Sequence, residues 1–244
     1  MKELSGKPLM ASATLVPESS SVLPLMRYEE FLVFSDEDVH AEWVPVDNSG
    51  MGEVIVQMPP KLLHQRLVKF LSRLLDLFVH LFDLGEVALA PFEVKLQPDR
   101  SSCEPDIFFV AKENLGRLSQ ERFNGPPDLV IEIVSESSVK RDRSDKYGEY
   151  QAAGVREYWI IDPREGQQRA DFFRLDDQGK YYLFATEESD RVKSQVLPGF
   201  WLCPEWLWQV DVLNPLMILG EIRGIPSAQM QRIQDFLIEG TVEE

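Results

Sequence analysis

Apolar residues along this chain repeat with two periods, and the changes from one period to the other mark its elements. Between Lys61 and Leu84, residues Leu63, Leu67, Phe70, Leu71, Leu74, Leu77, Phe78 and Leu81 fall at helical spacing. Pro59 and Pro60 suit the opening of that helix, and Gly85 its end. The runs EVALAPFEVKL, EPDIFFV, DLVIEIV and VREYWIID are short and rich in β-branched and aromatic residues. They predict strands, some of them buried on both faces. Two hairpins are predicted: AEWVPV with GEVIVQM across DNSGMG, and ADFFRLD with KYYLFA around Asp177-Gln178-Gly179. A short amphipathic helix is expected within Arg27 to His40. A second core helix is expected from Val139 to Ala153, opened by Ser137 or Ser138 and stopped by Gly154.

The order helix, three strands, helix, strand argues an α/β domain with a mixed central sheet flanked by helices. Residues 1–24 are rich in Ser and Pro without periodicity and are expected to be a mobile leader. Residues 25–199 form the expected domain, with the N-terminal hairpin added to its core. Residues 200–244 read as a C-terminal extension packing on the core or on a partner. In it, PGFWLCPEWLW is aromatic and Ser227 to Gly240 is amphipathic.

Charge narrows the function. The chain of 244 residues carries 25 basic and 41 acidic residues, a net charge of -16. Such a chain repels nucleic acid at long range and lacks the overall footprint of a dedicated DNA binder. Cys103 and Cys203 have no metal-ligand spacing, and two cysteines do not make a disulfide scaffold. No stretch approaches the length of a membrane span, and the N-terminal apolar patch is too broken for a signal peptide. These features predict a cytoplasmic protein with no membrane partner.

Two strands contain a residue type that burial penalises. Asp106 lies in EPDIFFV and Glu132 in DLVIEIV. A carboxylate inside a buried strand costs several kcal/mol unless a partner or a metal compensates it. Alternation puts Asp128, Val130, Glu132 and Val134 on one face, with Leu129, Ile131 and Ile133 on the other. If the two strands are neighbours, Asp106 and Glu132 can share one cation such as Mg²⁺ or Mn²⁺, which is held by one or two carboxylates, water and phosphate oxygens. The helix after DLVIEIV carries Lys140, Arg141, Arg143 and Lys146, a local basic patch for substrate phosphate. Lys146 lies about two turns in, within reach of the carboxylates.

EPDIFFV followed by GPPDLVIEIVSESSVKRDRSDKYGEYQAAGVREYWIIDP resembles the Uma-two family of restriction-endonuclease-like proteins, in the PD-(D/E)XK nuclease superfamily. The resemblance runs from Arg27 to Gly199 and is strongest from Glu104 to Pro163. It implies a restriction-endonuclease-like core and a metal-dependent endonuclease. Asp106 would be the PD aspartate, and Glu132 the acidic residue of the D/E-x-K element. Both would be metal ligands. The lysine of that element would fall at Val134, which departs from the pattern. The family commonly places it on the following helix, where Lys146 matches. Glu93 and His64 resemble secondary active-site positions.

Structural readings stand beside each assignment. Asp106 suits a strand-start residue bonding local backbone, and Glu132 a member of a structural ion pair. Asp142 and Lys146, four apart on a helix, suit a solvated surface pair. His64 suits a helix end without chemistry, and Asp128 a strand entry. The two function classes are therefore an endonuclease acting on nucleic acid, foremost DNA, and a non-catalytic interaction or scaffold protein on the same fold. A homodimer would suit double-strand cutting, and the C-terminal aromatics are the feature that points toward one.

Overall fold

The strand-forming runs collect into two six-stranded sheets, and the two helical patterns lie between and over them. The computed structural model describes residues 25–34, 41–47, 49–56, 61–97, 102–136 and 138–239. The expected leader, Pro59, Pro60 and Ser137 lie outside the described residues. Along the chain, β1 (Met26–Arg27), α1 (Tyr28–Phe34), β2 (Ala41–Pro45) and β3 (Met51–Val56) lead into the long helix α2 (Leu62–Leu81). Strands β4 (Gly85–Leu89), β5 (Glu93–Lys95), β6 (Ser102–Cys103), β7 (Ile107–Ala111), β8 (Arg122–Asn124) and β9 (Leu129–Ile133) precede helix α3 (Lys146–Ala153). Then come β10 (Glu157–Asp162), β11 (Arg169–Leu175), β12 (Tyr181–Thr186) and the short pair β13 (Val192–Lys193) and β14 (Trp201–Leu202). Helices α4 (Pro215–Ile222) and α5 (Ser227–Glu239) follow.

The central sheet has the order β12-β11-β10-β9-β7-β4. It is mixed: β9 and β10 run parallel, joined by a crossover containing α3, and the other neighbours are antiparallel. Leu129, Ile131 and Ile133 meet the α2 stripe of Leu67, Phe70, Leu71, Leu74, Leu75, Phe78 and Val79. Each such side chain stabilises by about 1.5–3 kcal/mol when fully buried, so this stripe fixes α2 on the sheet. Val130 and Val134 face the opposite core, with Tyr150 of α3 and Tyr158. The alternation seen in DLVIEIV thus separates the two cores.

The second sheet has the order β1-β3-β2-β6-β5-β8. The expected N-terminal hairpin is present as β2 and β3, within a larger sheet. The run EVALAPFEVKL, read as one strand, breaks at Pro91, which has no N–H for a ladder. Its first half, β4, joins the central sheet, and its second half, β5, joins the hairpin's sheet. Strand β2 pairs with β6 at Trp43 and Ser102, so the hairpin is continuous with strands from the middle of the chain.

Three local expectations are also corrected. Gly85 does not cap α2. It opens β4 at φ 148°, where an added Cβ would lie 2.0 Å from the Val110 carbonyl oxygen. Leu63, Leu77 and Leu81 are exposed at the margins of the α2 stripe. The helix after β9 is not uniform: Arg141–Asp145 form a π-helical turn before α3. As expected, left-handed Gly154 ends it.

The C-terminal segment contributes Trp206, Leu207, Ile218, Leu219 and Ile222 to the core containing α2. Helix α4 has local start signals: the Asn214 side chain accepts a hydrogen bond from the Leu216 N–H at 3.0 Å, and Pro215 begins the helix. Among the described residues, no helix is long and apolar enough to cross a membrane.

Candidate active site

Antiparallel pairing sets Ile107 opposite Ile131, so the register carries Asp106 to the level of Glu132. The Asp106 carboxylate crosses to that strand, and its Oδ2 accepts a hydrogen bond from the Ile133 N–H at 2.7 Å. The same oxygen lies 3.2 Å from Nε2 of His64, at the start of α2. Asp106 keeps some exposure, with 18% of its side chain accessible.

Glu132 is 2% exposed and Lys146 is 3% exposed. The Lys146 ammonium donates to Glu132 Oε1 at 2.9 Å and lies 2.9 Å from Glu42 Oε1. Asp142 Oδ1 is 3.6 Å from the same nitrogen. The solvated Asp142–Lys146 pair suited to an exposed helix is therefore corrected: both residues are buried on the inner face of the π turn and α3. The Tyr150 hydroxyl donates to Glu132 Oε1 at 2.7 Å, one turn beyond Lys146.

Charge states follow from this crowding. Burial alone would lower the Lys146 pKa, but Glu132, Glu42 and Asp142 hold the ammonium well above its ordinary value. Burial pushes the Glu132 carboxyl upward; Lys146 opposes this, while Asp142, Asp106 and Glu42 add repulsion. Asp142 is raised mainly by burial. For Glu42 burial is overcome by Lys146 and Arg141, which hold it below the usual carboxylate range. Glu104, opposite Glu93 in the β5–β6 register, is pushed up to about 7 by burial and by Glu42, with Glu93 adding.

The remaining candidates separate from this cluster. Glu93 is engaged in the second sheet, accepting from the Tyr28 and Ser102 hydroxyls and lying 3.3 Å from Arg122. Arg141 and Arg143, expected to meet substrate phosphate, are enclosed by carboxylates. Arg141 bridges Glu42 at 3.1 Å and Glu149 at 2.6 Å, and Arg143 pairs with Asp171 and, at 3.5 Å, with Asp162. Lys140 is exposed. Asp128 is a structural strand entry, accepting from the Ala111 N–H at 2.6 Å and from Asn114 and Arg156.

Glu42 and Tyr150 are not singled out by the sequence reading, and Asp142 enters it only as a surface partner of Lys146. Glu42 carried a usable signal, because it is a carboxylate between Ala41 and Trp43 in a predicted strand, as Glu132 is between Ile131 and Ile133. Asp142 and Tyr150 lie four residues either side of Lys146, hence on its face of a helix.

Among the described residues, no three His, Cys, Asp or Glu side chains converge in an arrangement that would hold a metal ion. The donor chemistry nevertheless suits a hard divalent cation. Glu132, Glu42 and Asp142 surround a single ammonium, Asp106 adds its repulsion to Glu132 and Asp142, and a surplus of carboxylates is the kind of charge imbalance such an ion relieves.

No curated protein matches the chain. Among solved structures, it is similar to one from Anabaena variabilis ATCC 29413 described as "a putative nuclease belonging to DUF820". The two share 17% identity and a TM-score of 0.60 over 76% of this chain and 98% of that one, which establishes a common fold. The family model for Uma2, "Putative restriction endonuclease", matches residues 28–205. With that match covering most of its length, this chain belongs to the Uma2 family, and that membership supports a nuclease role.

Proposed function

We propose that this protein is a metal-dependent endonuclease that hydrolyses phosphodiester bonds of nucleic acid, foremost DNA. In this reading Asp106 and Glu132 hold Mg²⁺ or Mn²⁺, and Lys146 is the catalytic lysine. The supporting observation is one arrangement: Asp106 bonded across to the Glu132 strand, and the Lys146 ammonium 2.9 Å from Glu132, in a Uma2 chain.

The cation, when bound, supplies Lewis-acid charge at a phosphate oxygen and acidifies a coordinated water. The Ile133 N–H and His64 orient the Asp106 carboxylate, so His64 serves as its support. Tyr150 orients Glu132 through the same carboxylate oxygen that Lys146 meets. Lys146, held charged by its carboxylates, stabilises negative charge developing on the phosphate or steers the attacking water. Lys140 is the exposed cation of that helix available to a phosphate, while Arg141 and Arg143 hold the site's framework. The chemistry resides in residues 25–199, with 200–244 as an extension.

One observation favours the second reading, a non-catalytic interaction protein. The Lys146 ammonium is already surrounded by Glu42, Glu132 and Asp142. Cleavage of labelled single- and double-stranded DNA, with Mg²⁺ and with Mn²⁺, separates the two. Cutting by the wild type and none by Glu132→Gln supports the nuclease. No cutting by the wild type on any substrate favours the interaction protein.

A further inference from the structure

The nuclease reading draws its chemistry from the central sheet, yet one of the two carboxylates closest to Lys146 comes from the other sheet. Glu42 lies on β2, 99 residues before Arg141 in the chain, and is 1% exposed. One of its oxygens, Oε1, lies 2.9 Å from the Lys146 ammonium, and the other, Oε2, accepts from Arg141 Nε at 3.1 Å. A carboxylate that divides its two oxygens between two cations on successive turns fixes both, because neither can turn away without leaving a buried charge uncompensated. Arg141 is anchored in turn by Glu149, four residues beyond the π turn. The arrangement gives Lys146 a second carboxylate contact as short as that to Glu132.

The hairpin that carries Glu42 is itself located by packing. Trp43 donates its Nε1–H to the Met26 carbonyl at 3.0 Å and lies under the Lys95 ammonium, 5.0 Å from the ring centre. Gly52 on β3 gives the indole its space, since a Cβ there would fall 2.2 Å from the ring. Glu42 is therefore delivered to Lys146 by a rigid strand and not by a loop.

We propose that Glu42 is the positioning residue of Lys146, so that docking of the N-terminal hairpin completes the reactive site on the central sheet. The inference rests on the nuclease reading. Without the Glu42 charge, Lys146 is drawn wholly toward Glu132 and Asp142, away from the position it needs during turnover. Glu42 does not touch substrate in this account, so its loss affects turnover and not substrate binding.

The test compares wild type, Glu42→Gln and Glu42→Asp in steady-state cleavage of labelled DNA with Mg²⁺. The expected result is a kcat lower by about 100-fold in Glu42→Gln, the scale of an ångström-level misplacement. KM is expected to stay unchanged, with much of the kcat restored by Glu42→Asp. A normal kcat in Glu42→Gln, or a change in KM alone, overturns the proposal. A metal-free melting-temperature cycle of Glu42→Gln, Lys146→Met and the double variant reads the contact without activity. A double variant that loses less than the sum of the two singles supports the contact, and additive losses overturn it. A wild type that cuts nothing refutes the nuclease reading, while the melting cycle still decides whether Glu42 holds Lys146.

Discussion

Glu132 and Lys146 meet inside the protein with 2.9 Å between Oε1 and Nζ, the first on a central strand and the second on the crossover helix that follows it. Each is nearly inaccessible to water, and neither would be stable as a lone charge there. The pair therefore ties the fold to the proposed chemistry.

Lys146→Met should remove the ammonium that Glu132, Glu42 and Asp142 share. Breaking one side of a buried pair costs about 3–5 kcal/mol. Urea unfolding in metal-free buffer should show a loss of this order. Adding Glu132→Gln should recover part of it, because one uncompensated charge is gone. A Lys146→Met protein as stable as wild type would contradict the buried network.

Glu132→Gln and Asp106→Asn should each abolish cleavage. An amide oxygen still accepts from the Ile133 N–H or from Tyr150, so the local bonds persist while the carboxylate repulsion falls. Their metal-free melting temperatures should be equal to or above that of the wild type. Full activity in either variant would remove that residue from the metal site.

Mg²⁺ should raise the wild-type melting temperature, because it binds the folded state alone. The gain is about 2.7 kcal/mol at a metal concentration of 100 times Kd. Asp106→Asn should show no such rise in the same titration. An equal rise in both proteins would place the ion elsewhere.

Glu104 gives a pH-dependent difference. Its carboxyl is pushed up to about 7 by burial and by Glu42, against an ordinary 4.5. Between those values the folded state binds the proton that the unfolded state has released. This contribution to stability is therefore full below about 4.5 and lost as pH rises through about 7. Glu104→Gln stays neutral throughout. Its stability relative to wild type should increase by roughly 1–3 kcal/mol across that window and level off above it. A constant difference from pH 4 to pH 8 would show that Glu104 titrates normally.

Much of the fold was legible because its signals are local. The period-2 alternation of DLVIEIV assigns Leu129, Ile131 and Ile133 to one core and Val130 and Val134 to the other, as the structure has them. The helical stripe from Leu67 to Phe78 needed no tertiary information either. Asp106, Glu132 and Lys146 drew attention through their residue type in an apolar strand and through a family motif, and Asp106 bonds across to the Glu132 strand that Lys146 meets.

Tertiary structure alone decided which charges meet. Nothing local says that EVALAPFEVKL divides between two sheets at Pro91, or that β2 lies against the helix after β9. Glu42 reaches Lys146 only because those two sheets meet, and the same packing brings Glu42 and Glu149 to Arg141, and Asp162 and Asp171 to Arg143. Hydrophobic periodicity reports which face of an element is buried, a property of neighbouring residues. An ion pair depends on distances of a few ångströms between elements far apart in the chain, and only the packed structure sets those.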